Sequence, residues 1–577
     1  MVAKLLAHPD RKSEGFGLRK EWVVWFALFA LLLVAAATFR TETWPEWFGD
    51  EAGYLLQAES VARDLDLHYT DRDRERLVQW HGRRPGDTGL ALEQQGEALL
   101  LDRPLAYPLV LAPFVRMAPQ RGAAVLNALL LTAAAWLAAR TLTRRLGNVA
   151  PLVVVLFVFG SLTFRYVFLA LPGILVMAAT VAAFALAYGR EDPVATETPE
   201  IYRAPDEGWD PLWRWFAVGA LLAIPSVHHP LYLGLFVPAA IATPKTERQR
   251  SLAALVAGAA AMLVVGALVK WMLTGSWAAV LPTSLGDMWP TLAGEGIVFD
   301  GNLIGWNLLY FLAGRSVGAL PYFLPVLLAL GAWSGGARRS TLVLSVLTIG
   351  VLFVLLAPFN FFGGPGAIGN QWLLPLYGAL WLLPTRRLHW GWMAVTAALA
   401  AVLLWPSWMA PRAFPVGPDG NYRHSSGLAQ RFLPYETTQR ELPSVGELRQ
   451  GVFWLRASGR LTSPAGIGER FELEGEGPVE FLVASPTALV ALHLEFGPTS
   501  PGQIEVIHGR LGDTVFRPDG GVGFDLFAPT PTARHPMWWT DERQNLYFFQ
   551  FGLPEAKSGT HAFAVSFTTR KDLEREE

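Results

Sequence analysis

"WVVWFALFALLLVAAATF" (Trp22–Phe39) is followed, after residues 40–46, by "WFGDEAGYLLQAESVARDLDL" (Trp47–Leu67). The first run approaches the roughly twenty apolar residues that cross a bilayer. The second sets two adjacent carboxylates, Asp50 and Glu51, beside the exit of that run. Charge at a membrane boundary is costly unless it has a partner or a task. Arg11, Lys12, Arg19 and Lys20 precede the first run, as in a signal peptide. The run is too long for a signal h-region, and no small-residue cleavage pattern follows, so it reads as an uncleaved first span.

The rest of the composition agrees. Of 577 residues, 52% are hydrophobic and 17% charged, and the mean hydropathy is +0.30. That balance suits a polytopic membrane protein. A net charge of -2 supplies no bulk basic field for nucleic acid. The absence of cysteine excludes disulfides and thiolate chemistry. Further apolar runs lie at Gly122–Leu142, Val149–Phe168, Pro172–Tyr188, Leu212–Val227, Pro230–Thr243, Ala253–Leu273, Gly318–Trp333, Leu342–Ala357, Trp372–Pro384 and Trp390–Trp408. About eleven transmembrane helices are therefore expected.

Positive residues mark the cytoplasmic side. Arg140, Arg144 and Arg145, then Lys245, Arg248 and Arg250, then Arg338 and Arg339, then Arg386 and Arg387, all fall on the side of the N-terminus. The other side receives the loops 40–121 and 274–317, the Asn360–Gln371 loop and the tail after Trp408. Leu105–Met117 is apolar but too short to span and reads as a re-entrant or interfacial helix. From about Glu447 the tail alternates in short runs, among them "VEFLVAS", "LVALHLEF" and "HAFAVSFTT". That is the pattern of an antiparallel β-sandwich or jelly roll. The expected organisation is a multi-span domain over 1–410, a linker over 411–446 and an extracytoplasmic β-rich domain over 447–577.

Asp50 and Glu51 have a plain reading as acids at the positive end of a helix dipole. They also have a chemical one, a carboxylate base that takes a proton from an acceptor. The acids of "DLDLHYTDRD" (Asp64, Asp66, Asp71 and Asp73) read as a solvated charged stretch. His228 and His229 stand between two apolar runs, and neighbouring positions do not share one helix face. Asp287, Glu295 and Asp300 lie in the long second outer loop with Trp277, Trp289 and Trp306. Such a loop can close over a substrate. No Walker A sequence, dinucleotide fingerprint, His-Glu-x-x-His or Gly-x-Ser-x-Gly is present.

"GDEAGY" at the start of a large first outer loop resembles the GT-C glycosyltransferases. These include the protein O-mannosyltransferases and the aminoarabinose lipid A transferases, and the chain looks most like bacterial members without an assigned substrate. "GRSVGALPYFLP" (Gly314–Pro325) and "GGPGAIGNQWLLPLY" (Gly363–Tyr377) add to the likeness, which covers Trp22–Trp408 in layout. Gln371 and Trp372 stand where the family pattern has Arg-Tyr, which removes a cation.

The resemblance implies a sugar donor linked to a polyprenyl phosphate, with Asp50 as general base of an inverting transfer and Glu51 as a second catalytic carboxylate that orients the acceptor or helps a cation. Arg315, and second Arg103, would meet the donor phosphate. Tyr54, His228, His229 and Asn370 would contact substrate. Some relatives use a divalent metal and others do not, and the sequence leaves that open, with no other cofactor implied. The implied place is the bacterial inner membrane, multi-pass, with the N-terminus cytoplasmic and the C-terminal domain periplasmic. The acceptor, whether glycan, lipid or protein, is not encoded in any pattern.

Two other classes compete. A transporter or flippase of lipid-linked saccharides predicts ionisable residues inside the spans and an inverted repeat. Here Arg116, Arg165 and Lys270 fall near run ends. A non-catalytic membrane scaffold would use the β-rich domain to bind glycan.

Overall fold

The computed structural model describes residues 14–38, 50–81, 92–95, 98–101, 103–189, 212–277, 301–314, 317–356, 369–386, 388–409, 411 and 426–434. In the sheet region it describes 446–449, 452–457, 461–462, 470–474, 478–497, 505–508, 510–516, 522–529, 531, 533–536, 543–552 and 560–576. The chain divides into two compact units. One holds Met1–Thr283, Phe323–Ile349 and Trp372–Ala401, the other Ser284–Tyr322, Gly350–Gln371 and Val402–Glu577.

The first unit is helical. It begins with α1 (Glu14–Thr38), α2 (Asp50–Arg63) and α3 (Asp71–His81), followed by a short hairpin of β1 (Glu93–Gln95) and β2 (Ala98–Leu100). Then come α4 (Ala106–Met117), α5 (Gly122–Leu146), α6 (Ala150–Phe159), α7 (Gly173–Tyr188), α8 (Leu212–His228), α9 (Phe236–Ala242) and α10 (Arg248–Thr274). Helices α8 and α10 meet backbone to backbone. A Cβ on Gly219 would stand 1.9 Å from the Leu255 carbonyl oxygen, and one on Gly258 would stand 1.9 Å from that of Phe216. Small residues permit this close approach, which is how apolar helices gain packing where no hydrophobic drive separates them from lipid.

Among the described residues four helical stretches are long and apolar enough to cross a membrane: Gly122–Phe159, Lys245–Thr274, Ala337–Leu355 and Trp390–Met409. Other expected spans fold as shorter pieces. The run Val149–Phe168 is α-helical only to Phe159 and continues as 3-10 turns over Leu162–Phe168. Ser161 ends it, its hydroxyl accepting from the Thr163 N–H at 3.2 Å and so capping the new turn. The run Gly318–Trp333 gives Ala319–Tyr322 and Val326–Gly331, with Pro325 between them. Proline has no N–H to donate to the preceding turn, so a continuous helix fails there. Trp372–Pro384 gives Leu373–Leu380.

The charged stretch after α2 is less solvated than expected. Asp73 is buried, and its Oδ2 accepts from both the backbone N–H and the hydroxyl of Thr70, at 2.9 Å each. That caps α3 from inside its first turn. Burial, the largest effect, pushes the Asp73 carboxyl up; its bonds from Thr70 pull it back. Arg76 pairs with both Asp64 and Asp73. Asp66 accepts from the Ser60 hydroxyl at 2.9 Å.

In the second unit lie Gly301–Ala313 and a sheet region of two antiparallel layers. The strands are β3 (Gly446–Arg449), β4 (Val452–Ala457), β5 (Leu461–Thr462), β6 (Arg470–Glu474), β7 (Pro478–Ser485), β8 (Leu489–Phe496), β9 (Glu505–His508), β10 (Arg510–Phe516), β11 (Val522–Phe527), β12 (Ala533–Pro536), β13 (Arg543–Gly552) and β14 (Thr560–Thr569). One sheet runs β10-β11-β8-β14-β6-β5 and the other β12-β13-β7-β4-β3, with β9 on β13. Alternate residues of both layers enter one buried cluster that includes Phe481, Leu492, Phe496, Phe524, Phe551 and Phe563. Phe481 of one layer meets Phe563 of the other edge-on at 6.4 Å. A final helix, Arg570–Glu576, follows β14.

Candidate active site

Helix α2 is buried from Glu51 to Ala62 although four of those twelve residues, Glu51, Gln57, Glu59 and Ser60, are polar. Buried polar groups must be hydrogen-bonded, so each needs a partner supplied by the fold. Helix α2 packs on α4, and the residues flanking and ending α4 serve both ends of α2. At the C-terminal end, Arg116 donates to the Ala62 carbonyl at 2.9 Å, a cation placed where the helix dipole is negative. At the N-terminal end, Arg103 Nη2 stands 2.7 Å from Asp50 Oδ1.

The seat of Arg103 is built from α2 itself. The Gln57 amide donates to the Arg103 carbonyl at 2.9 Å and accepts from the Arg103 N–H at 2.9 Å. This reciprocal pair fixes the backbone. The side chain then runs across Gly53, where an added Cβ would lie 3.1 Å from Nε and 3.3 Å from Cγ. Asp50, Gly53 and Gln57 recur at i, i+3 and i+7, so they share one helix face. Asp50 and Arg103 keep 30% and 27% of their side-chain surface exposed, and Arg103 Nε, buried, makes no hydrogen bond among the described residues.

Glu51 has a different partner. It is 3% exposed, and its Oε1 accepts from the Ala170 N–H at 2.6 Å. The same segment is held by buried Asn127, which donates to the Leu169 carbonyl at 2.8 Å. Tyr107 of α4 donates to Asn127 at 3.3 Å. Glu51 therefore anchors the chain after the 3-10 turns, while Asp50 sits at the accessible edge.

Tyr54, one turn after Asp50, stands edge-on to Tyr107 at 5.7 Å and tilted to His228 at 6.4 Å. Burial, and next the Asp50 charge, push its phenol up, so it stays a neutral hydroxyl. The two histidines part. His229 Nδ1 accepts from the Leu231 N–H at 3.4 Å, and its ring lies 5.3 Å from that of Trp372. Tyr232 donates to the Trp372 carbonyl at 2.7 Å and closes that cluster. His228 faces Tyr54, and its Nε2 is buried without a hydrogen-bond partner among the described residues.

Of the other residues singled out in the sequence, Asn370 is buried, 1% exposed, and belongs to the second unit. Arg315, Asp287, Trp289, Glu295, Asp300 and the Trp306 side chain lie outside the described residues. Trp277 stacks on Trp271 at 5.2 Å. Among the described residues no three His, Asp or Glu side chains are grouped to hold a metal ion. Gly53, Gln57 and Asn127 were passed over in the sequence. The i, i+3, i+7 spacing from Asp50 was the available signal for the first two, and Asn127 had none beyond being polar in an apolar run.

No protein-family model matches the chain, and no curated protein matches it. Among solved structures it is similar to the cryo-EM structure of arabinosyltransferase EmbB from Mycobacterium smegmatis, at 10% identity and a TM-score of 0.32. The match covers 93% of this chain and 64% of that one, so the chain spans less than two thirds of that protein's length. A likeness of this size carries neither fold nor activity across.

Proposed function

We propose that the chain is a membrane glycosyltransferase of the GT-C kind, moving a sugar from a polyprenyl-phosphate donor to an acceptor outside the cytoplasm. The observation that carries the reading is the part-buried Asp50–Arg103 pair, with its 2.7 Å contact, set on a buried helix beside Tyr54. Asp50 acts as general base, taking the acceptor proton as the acceptor attacks the anomeric carbon. The polyprenyl phosphate leaves from the opposite face, so the anomeric configuration inverts. A cation at the leaving phosphate stabilises the charge that develops there. Arg103, and Arg315 with it, supply that cation; Tyr54 and His228 face the sugar or acceptor.

Placing Asp50 outside follows from the basic clusters. The same rule puts the N-terminus in the cytoplasm and the sheet region, from residue 447, on the outer side; a bacterial inner membrane and a periplasmic sheet region are what the resemblance adds. The count of about eleven passages stands if broken helices complete them. Non-helical backbone is tolerated at membrane depth where protein satisfies it, as the Ser161 cap does. The test is sugar transfer from a lipid-linked donor by purified protein, compared with Asp50→Asn. No transfer by the purified, folded protein removes the transferase reading; full transfer by a folded Asp50→Asn protein removes Asp50 as its base.

A further inference from the structure

The site contains an apparent contradiction. A general base works best with its charge uncommitted, yet one oxygen of the Asp50 carboxylate, Oδ1, is engaged by Arg103 at 2.7 Å. Resting on the transferase reading, we propose that Arg103 changes partners. It holds Asp50 in the free protein and turns to the phosphate of the lipid-linked donor on binding, so that the base is released only when donor is present. Gly53 and Gln57 are the positioning residues for that exchange.

Three features carry this. The Arg103 backbone is fixed independently of its side chain, by the two 2.9 Å bonds to the Gln57 amide. The head group can therefore move without disturbing the loop. The path of the side chain is clear, because Gly53 presents no Cβ where Nε and Cγ pass. The guanidinium is also under-used, since Nε makes no hydrogen bond among the described residues. Arginine's planar fork suits two parallel contacts to a phosphate, which the single contact to Asp50 does not exploit. A solvent-exposed pair is worth only about two- to fivefold in an equilibrium constant, and this part-buried one keeps solvent access at both side chains. A phosphate that accepts two hydrogen bonds from the guanidinium is the stronger partner.

If Asp50 competes with phosphate for Arg103, removing the Asp50 charge strengthens phosphate binding, and the gain disappears when Arg103→Ala is also present. If Asp50 only repels the anion, the gain persists in that double variant and the exchange is overturned.

The experiment uses the full chain in phosphatidylcholine nanodiscs, titrated separately with a polyprenyl phosphate, inorganic phosphate and phosphatidylglycerol. Asp50→Asn is expected to bind polyprenyl phosphate about two- to fivefold more tightly, the size of the lost competing pair. Arg103→Ala is expected to lose about tenfold or more, the size of a charge-assisted contact. Gln57→Leu is expected to raise the donor KM several-fold with kcat retained, and Gln57→Glu, which keeps the acceptor for the Arg103 N–H, to recover part. Level or weaker binding in a folded Asp50→Asn protein overturns the exchange. Equal response to phosphatidylglycerol assigns the cation to bulk headgroups, and equal response to inorganic phosphate assigns it to a free anion; either overturns the donor as ligand. Turnover of a polyprenyl-phosphate sugar by the unaltered protein is scored beside these. Turnover with a level Asp50→Asn titration sinks the exchange alone; the expected titrations without turnover sink the transferase reading alone.

Discussion

Two acid–base pairs in this chain look alike in isolation. Asp50 and Arg103 meet at 2.7 Å in the helical unit, and Asp525 and His493 at 2.6 Å on the sheet. Solvent exposure does not separate them, with side chains 30% and 27% exposed in one pair and 32% and 34% in the other. What separates them is saturation. His493 uses both ring nitrogens, Nδ1 toward Asp525 and Nε2 toward the Thr568 hydroxyl at 2.7 Å. Its strand, β8, lies between β11 and β14, and register sets Asp525 directly opposite. The trio is closed and ties three strands. The Asp50–Arg103 pair is open, with a donor left over and a glycine-smoothed path beside it. An ion pair alone does not mark a site; here the mark is a pair that keeps solvent access and a buried donor beside it with no partner among the described residues.

The largest expected effect breaks the comparison at Asp50. Asp50→Asn should cut sugar transfer by about a hundredfold or more, the usual scale for a lost general base, with thermal stability measured in parallel and unchanged. Glu51→Ala, one residue on, should act on stability instead. It leaves the buried Ala170 N–H without its 2.6 Å acceptor, at a cost of about 1–3 kcal/mol, read from thermal unfolding. A Glu51→Ala protein as stable as the original would show that Glu51 is not the anchor. On the sheet, His493→Phe should cost about 1 kcal/mol in the denaturant midpoint and leave transfer unchanged; lost transfer would make the closed trio more than a brace.

The smallest effect concerns pH. The Thr569 hydroxyl and N–H donate to Asp572 at 2.6 and 2.8 Å and hold its carboxyl below the usual range. A lowered folded value means the cap contributes above the unfolded value, about 3.9, and is lost as pH falls through the folded one. Amide exchange over Arg570–Glu576 should therefore rise relative to the strands below about pH 4, and should not do so in Asp572→Ala, where the cap is already gone.

Much of the site lay within reach of pattern reading, but unevenly. Asp50, Glu51 and Tyr54 stand out because adjacent acids beside an apolar run are rare on energetic grounds. Their division of labour was hidden, because successive helical positions point about 100° apart and only the neighbours say which direction is buried. Arg103 ranked behind Arg315 on sequence. The fold brings Arg103 to Asp50 through Gln57, a residue with no distinguishing neighbour pattern. The adjacent histidines were inseparable in the sequence; the 3-10 turn that begins at Pro230 consumes His229 and leaves His228 facing Tyr54.

By itself the sequence determined the apolar helices, the alternating strands and the charged stretch at the lip of the first run. Each follows from the local cost of placing a side chain in lipid, core or water, which depends on residue type and period alone. Only the tertiary structure decided which apolar runs stay continuous, which carboxylate is spent on Ala170 and which remains at the edge. Those outcomes depend on hydrogen-bond partners supplied from distant positions, such as Arg103 clamped by Gln57, and a buried polar group is defined by its partner.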